Sequence, residues 1–229
     1  MPKTFLSYNN IFSNLGFDSE TVVENISSGN SGLEKFDDTS LLPEPFCASM
    51  ISSKIVEEKF SKIGNTSKFT KLEQMIILSL KEVIDDSNIP LNERVGLLIS
   101  TTKGNIDVLE SKSNFPESRA YLSELGKTIQ NFFGFKNEAI VLSNACVSGI
   151  LAVSVAKRFI SEEKYDHVFI ASGDLVTKFI LSGFNSFQAL SAEPCKPYDK
   201  NRTGINLGEV AASALITSEE KDLPTGAVE

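Results

Sequence analysis

Histidine is nearly absent from this sequence. The 229 residues hold one, His167, so any step that needs imidazole as a base has a single candidate. Cysteine is scarce too. Cys47, Cys146 and Cys195 are far apart and odd in number. That spacing gives neither a disulfide framework nor a zinc site, so no metal is expected, and reduced thiols in a cytosol are the simplest account. Basic charge is in deficit: the formal net charge is −8. A general nucleic-acid binder needs a basic face, so that class is set aside. No apolar run is long enough to span a bilayer. The start, MPKTFLSYNN, lacks an apolar stretch beside a basic end, so no signal peptide is expected, and the protein is expected in the cytoplasm, away from membranes.

What the chain does have is alternation. Residues 18–29 read as a short helix, capped by Asp18 or Ser19 and ended by Gly29. Residues 30–53 carry Pro43 and Pro45 and read as loop. Thr70 and Glu73 make a capping-box pattern. Leu72, Met75, Ile76, Leu80, Val83 and Ile84 follow at helical spacing. VGLLIS at 95–100 is a continuous apolar run, the mark of a strand buried on both faces. Residues 118–133 form a second amphipathic helix with Gly134 as its stop. AIVLS at 139–143, HVFIASG at 167–173 and AASALIT at 211–217 read as further strands, with a helix over 147–160. Strands alternating with helices predict a layered α/β fold with a mostly parallel sheet. Such sheets hold their chemistry just beyond the carboxyl ends of strands.

Cys146, in SNACVSG, sits in that place: strand, tight turn, thiol, helix. A helix N-terminus favours thiolate over thiol, and its free N–H groups stabilise an oxyanion. Ala145, Ser148 and Gly149 are small enough for close substrate approach. Two readings stay open on the local pattern alone, a nucleophile and a packed core cysteine.

Four separate stretches, SNACVSG, HVFIASGD, SGFNSFQALS and PCKPYDKNRTGINLGEVAA, occur in an order and spacing that resemble the amino-terminal half of a β-ketoacyl-acyl carrier protein synthase. The resemblance covers nearly the whole chain as one domain, 1–229. It implies a thiolase-like α-β-α layering and no cofactor. It implies that Cys146 takes an acyl group from a carrier-protein thioester, ahead of a decarboxylative Claisen condensation. Phe184 resembles a residue lining the acyl pocket; its other reading is a core aromatic. Asp199 and Arg202 match a structural loop, and Gly204 and Gly208 match positions of backbone geometry. Val210 stands where the family usually has glycine, and the segment from Gly104 to Ala139 is short.

The family completes its site with two histidines, a lysine and a second oxyanion amide in its carboxyl-terminal half. His167 matches neither histidine and is expected to be structural. These residues alone are therefore expected not to condense. Three readings follow: the amino-terminal part of a complete synthase, a half-length partner that shapes another synthase without catalysing, and an unrelated α/β cysteine hydrolase, which the missing histidine disfavours.

Two partners are expected. One is a second ketosynthase subunit, in a homodimer or heterodimer joined through strand 167–172, whose VFIAS edge would otherwise be unpaired. The other is an acyl carrier protein. Residues 54–71 hold five lysines against two glutamates, a net of +3 in an acidic chain. Lys62, Lys68 and Lys71 are the expected docking residues for an acidic carrier.

Overall fold

The computed structural model describes residues 3–110, 113–220, 223–224 and 226–229. In chain order its main elements are β1 (Phe5–Ser13), α1 (Ser19–Ser27), β2 (Glu34–Phe36), β3 (Phe46–Ser49), α2 (Ser53–Phe60), α3 (Lys71–Ser87), β4 (Val95–Ser100), α4 (Leu122–Phe133), β5 (Ile140–Leu142), α5 (Ser148–Ser161), β6 (His167–Asp174), α6 (Lys178–Ser186), β7 (Leu207–Gly208) and β8 (Val210–Thr217).

The apolar runs take the middle of one sheet. Its strand order is β1-β8-β6-β4-β5. β4, β5 and β6 run parallel, and β8 runs against both β6 and β1. Four of the five strands therefore share a direction. All six residues of β4 are buried, because helices cover both faces. Side chains alternate between those faces. Leu97, Ile99, Phe169 and Leu215 meet Leu72, Met75, Ile76 and Leu80 of α3. Leu98, Val168, Ile170 and Ile216 meet Ala152, Ala156 and Ile160 of α5. Full burial of each large side chain contributes roughly 1.5–3 kcal/mol. The far side of α5 is bare: Val147, just before it, is 49% exposed and Ile150 65%.

Local signals act where the sequence placed them. Asp18 caps α1 by accepting from Thr21 N at 2.7 Å. Thr70 and Glu73 form the reciprocal capping box of α3. Gly134 ends α4 at φ 77°, a left-handed conformation that favours glycine. The segment 118–133 is interrupted, with a 3₁₀ turn at Glu117–Ala120 before α4.

Three expectations need correction. Residues 30–53 are not all loop: β2 and β3 lie there and, with β7, make a second small sheet. β1 and α6 were not expected at all. The third concerns the proposed subunit edge. β6 is not an edge strand, since it pairs with β8 along its whole length and with β4 from His167 to Ser172. Its apolar character on both faces reflects a central position. The free edge on that side of the sheet belongs to β5, which pairs with β4 alone. Among the described residues, no helix is long and apolar enough to cross a membrane.

Candidate active site

β4, β5 and β6 are parallel, so their carboxyl ends, Ser100, Leu142 and Asp174, lie along one side of the sheet. The segments that follow carry Thr102 and Lys103, then Ser143 to Cys146, then Leu175 and Val176. Together with α6 and β7 they enclose a cavity of about 330 Å³. Leu175, Val176, Ile180, Phe184 and Leu207 supply its apolar wall, and Cys146 stands at its rim.

The turn bearing Cys146 is an elbow between β5 and α5. Ala145 sits at φ 46°, in the left-handed region. That conformation costs a residue with a Cβ roughly 1–2 kcal/mol. Ser148 offsets the cost: its buried hydroxyl donates to Ala145 O at 2.7 Å and accepts from Asn144 N at 2.8 Å. The Ser148 N–H also donates to Ala145 O, at 3.2 Å. The chain is thus folded back tightly enough for Cys146 to project. Cys146 is exposed, Cys47 is buried and Cys195 is intermediate. α5 begins at Ser148 with no side-chain cap. Its first-turn N–H groups lack intrahelical acceptors and point to the side on which Cys146 lies.

Three carboxylates fix the cavity walls. Asp174 accepts from Thr101 Oγ1 at 2.9 Å and from Thr102 N and Oγ1 at 2.8 and 2.7 Å. Glu110 accepts from Phe179 N at 2.6 Å and from Lys178 N at 3.1 Å, which orients α6 and so Phe184. Negative charge at a helix N-terminus is favourable there. Glu209, on the chain just after β7, accepts from Ile51 N at 2.7 Å and from Lys71 Nζ at 2.6 Å, with a weaker bond from Val176 N at 3.4 Å. Beside this pair, burial holds the Asp107 carboxyl above its ordinary range, with Glu110 and Glu209 adding to the shift and Lys71 opposing it.

The fold brings two of the sequence-derived site residues together, Cys146 and Phe184. It places the lysines elsewhere. Lys62 and Lys68 are exposed. Lys71 is turned inward on Glu209, with 18% of its side chain exposed. His167 opens β6, at the end of the strand away from Asp174 and Cys146. Its Nδ1 lies 3.0 Å from Thr217 Oγ1. Burial pushes the ring below the usual histidine range, against the pull of Glu219 and Asp166. Asp199 forms a turn, accepting from Asn201 N at 2.7 Å, and Arg202 Nη1 donates to its carbonyl at 3.1 Å. At Gly204, with φ 146°, a Cβ would lie 2.6 Å from Ala189 O, so only glycine fits. Gly208 has no such demand, because a Cβ there would meet nothing nearer than 3.6 Å; it lines the cavity instead. Sequence reading missed Asp174, Glu110 and Glu209, and took Ser148 only as a small residue, not as the hydroxyl that closes the turn. The one local hint is a carboxylate ending or opening an apolar strand run, as in IASGD and GEVAA.

Comparison with known proteins agrees with this geometry. Residues 12–222 match the family described as Beta-ketoacyl synthase, N-terminal domain. A 3-oxoacyl-(acyl-carrier-protein) synthase 2 of Staphylococcus aureus is 22% identical over 244 residues, covering 93% of this chain and 58% of the relative. The chain thus spans somewhat over half the length of that curated relative. Nodulation protein E of Rhizobium leguminosarum bv. trifolii is 27% identical over 97 residues, 42% of this chain and 24% of its own. Among solved structures, the ishigamide ketosynthase/chain length factor superposes with a TM-score of 0.78 at 21% identity, covering 94% of this chain and 58% of that one. A ketosynthase in complex with its chain length factor from Xenorhabdus doucetiae gives 0.77 at 18% identity, over 96% of this chain and 59% of that one. These likenesses give the fold alone: the layered sheet has the architecture of the amino-terminal part of the thiolase-like ketosynthase fold. The family match extends over nearly all of the sequence and includes the Cys146 elbow, and the chain belongs to the β-ketoacyl synthase N-terminal domain family.

Proposed function

We propose that this chain is the amino-terminal part of a β-ketoacyl synthase of fatty-acid or polyketide biosynthesis, and that Cys146 accepts its acyl group. The observation that carries this is an exposed thiol on an elbow at the head of α5, at the rim of an apolar-walled cavity. An alkyl chain suits that wall, each buried methylene favouring binding by about 0.8 kcal/mol.

In the first half-reaction the Cys146 thiolate attacks the carbonyl carbon of an acyl thioester on a carrier protein. The Sγ–carbon bond forms, the bond from carbon to the carrier sulfur breaks, and the carrier thiolate takes up the proton that Cys146 gave up. The Cys146 N–H and the first turn of α5 provide donors for the developing oxyanion. In the second, a malonyl thioester loses carbon dioxide. The resulting enolate carbon bonds to the Cys146-bound carbonyl carbon, the bond from that carbon to Sγ breaks, and Cys146 leaves as the thiolate. That enolate needs stabilising donors. The sole histidine of these residues, His167, stands at the other end of β6. Condensation therefore draws on groups outside these 229 residues, and acylation without condensation is expected of them alone. The bare face of α5 around Ile150 is where we place the remainder of the synthase.

A second reading is a non-catalytic partner subunit of the chain-length-factor kind, motivated by the ketosynthase and chain length factor complexes among the structural neighbours. The retained Cys146 counts against it. In either case we place the subunit contact on the outer edge of β5, carrier docking at Lys62 and Lys68, and the protein in the cytosol.

Incubation with hexanoyl-N-acetylcysteamine tests the reading. One hexanoyl group is expected on the Cys146 peptide by mass spectrometry, and none on a Cys146→Ala variant. Equal acylation of both proteins would refute it.

A further inference from the structure

We propose that Asp174 is a positioning residue for the Cys146 thiol, acting through Thr102 and Ser143. The inference rests on Cys146 being the acyl-accepting nucleophile.

Asp174 ends β6 on the cavity wall. Its Oδ1 accepts from Thr101 Oγ1, Thr102 N and Thr102 Oγ1 at 2.9, 2.8 and 2.7 Å, and its Oδ2 shares the Thr102 N–H at 3.1 Å. A longer contact of 3.4 Å reaches Lys103 N. One carboxylate therefore pins three consecutive residues after β4 through charge-assisted bonds, the stronger kind. The Thr102 carbonyl in turn accepts from Ser143 Oγ at 3.0 Å. Ser143 is the first residue of the elbow. From the rigid end of β6 to the start of the elbow, the path is one short hydrogen bond, one residue and a second hydrogen bond.

The other end of the elbow is closed by Ser148, which starts α5. Between these anchors, no hydrogen bond holds Cys146 Sγ among the described residues. The place of the thiol over the cavity thus depends on where Ser143 and Ser148 stand, alongside the backbone bonds from Val147 N to Asn144 O at 3.1 Å and from Thr101 N to Leu142 O at 3.2 Å. Acyl transfer requires sulfur and carbonyl carbon about 3–3.5 Å apart and aligned, and a misplacement of about 1 Å costs up to a hundredfold in rate. Asp174 makes no bond in the reaction; it holds one side of the frame.

The test is single-turnover acylation of the 229-residue chain by hexanoyl-N-acetylcysteamine, with rates counted per titrated Cys146 thiol so that a loss of folded protein does not imitate the effect. Asp174→Ala is expected to lower the saturating rate constant about tenfold while the half-saturating concentration stays within about twofold. Ser143→Ala is expected to do the same. The double variant is expected to be no slower than the slower single one, because both cut one path. Asp174→Asn, which keeps one acceptor oxygen, is expected to fall between. Unchanged per-thiol rates in Asp174→Ala or Ser143→Ala, or losses that multiply in the double variant, would overturn the inference. Should Asp174→Ala not fold, Ser143→Ala and Asp174→Asn decide it on the same criteria. Absence of acylation in the unaltered chain would instead sink the nucleophile reading and this inference with it.

Discussion

Lys71 Nζ lies 2.6 Å from Glu209 Oε2, and the pair is largely withdrawn from solvent, with 18% and 2% of the two side chains exposed. A lysine that sequence reading assigned to a docking surface instead joins the head of α3 to the chain between β7 and β8. Through Ile51 N and Val176 N, Glu209 also ties in the start of α2 and the cavity wall.

Removing one partner of such a pair leaves an uncompensated charge. Lys71→Met is expected to lower stability by about 3 kcal/mol in urea unfolding, and a double variant with Glu209→Gln to recover part of it. A loss in Lys71→Met no larger than about 0.5 kcal/mol would mean that the pair behaves as a surface salt bridge.

With Lys71 withdrawn onto Glu209, Lys62 and Lys68 are the exposed lysines on which the proposed carrier docking is tested. Lys59 lies 4.1 Å from the centre of the Phe17 ring and is partly covered. Reversal of Lys62 and Lys68 to Glu is expected to weaken binding of an acidic acyl carrier protein about tenfold at low salt and to flatten its salt dependence. Reversal of Lys71 adds a folding defect rather than a docking one. Binding and salt slope both unchanged in the Lys62/Lys68 variant would put the docking surface elsewhere.

His167 makes stability depend on pH in a known direction. Burial lowers its folded-state pKa below the ordinary histidine value of about 6.5, outweighing Glu219 and Asp166. The folded state therefore binds fewer protons than the unfolded one across that window. Its contribution is complete above about 6.5 and is lost as pH falls through the unfolded value toward the folded one. His167→Gln is expected to flatten the acid limb of a thermal-unfolding profile just below neutrality. An acid limb identical to that of the unaltered chain would assign the dependence to other groups.

The sheet centre was legible because β4 and β6 are apolar on both faces and their environment is apolar on both sides. β1 was not, because polar residues (Ser7, Asn9 and Asn10) interrupt its apolar ones. Asn10 is 4% exposed, yet its amide donates to Phe17 O at 3.4 Å, and Ser7 Oγ donates to Leu215 O at 3.1 Å. Polar atoms satisfied by distant backbone look like loop when read locally. α6 was hidden for a similar reason: the carboxylate at its N-terminus, Glu110, lies 68 residues from Lys178 in sequence. At the site, Cys146 could be read from its own turn. Asp174 and Glu209 could not, since the backbone groups they hold are 72 and 158 residues away. The subunit edge was misread because an apolar strand run does not say whether it lies at the centre of a sheet or at its border.

The central claim is that Cys146 is the thiol that takes the acyl group. Its most direct measurement is iodoacetamide labelling of the native chain with peptide mapping, before and after incubation with hexanoyl-N-acetylcysteamine. Exposure predicts that Cys146 is alkylated fastest, ahead of intermediate Cys195 and buried Cys47. Prior acylation is predicted to protect Cys146 and leave the other two rates unchanged. Fastest labelling at Cys47 or Cys195, or a Cys146 rate untouched by the thioester, would contradict the account.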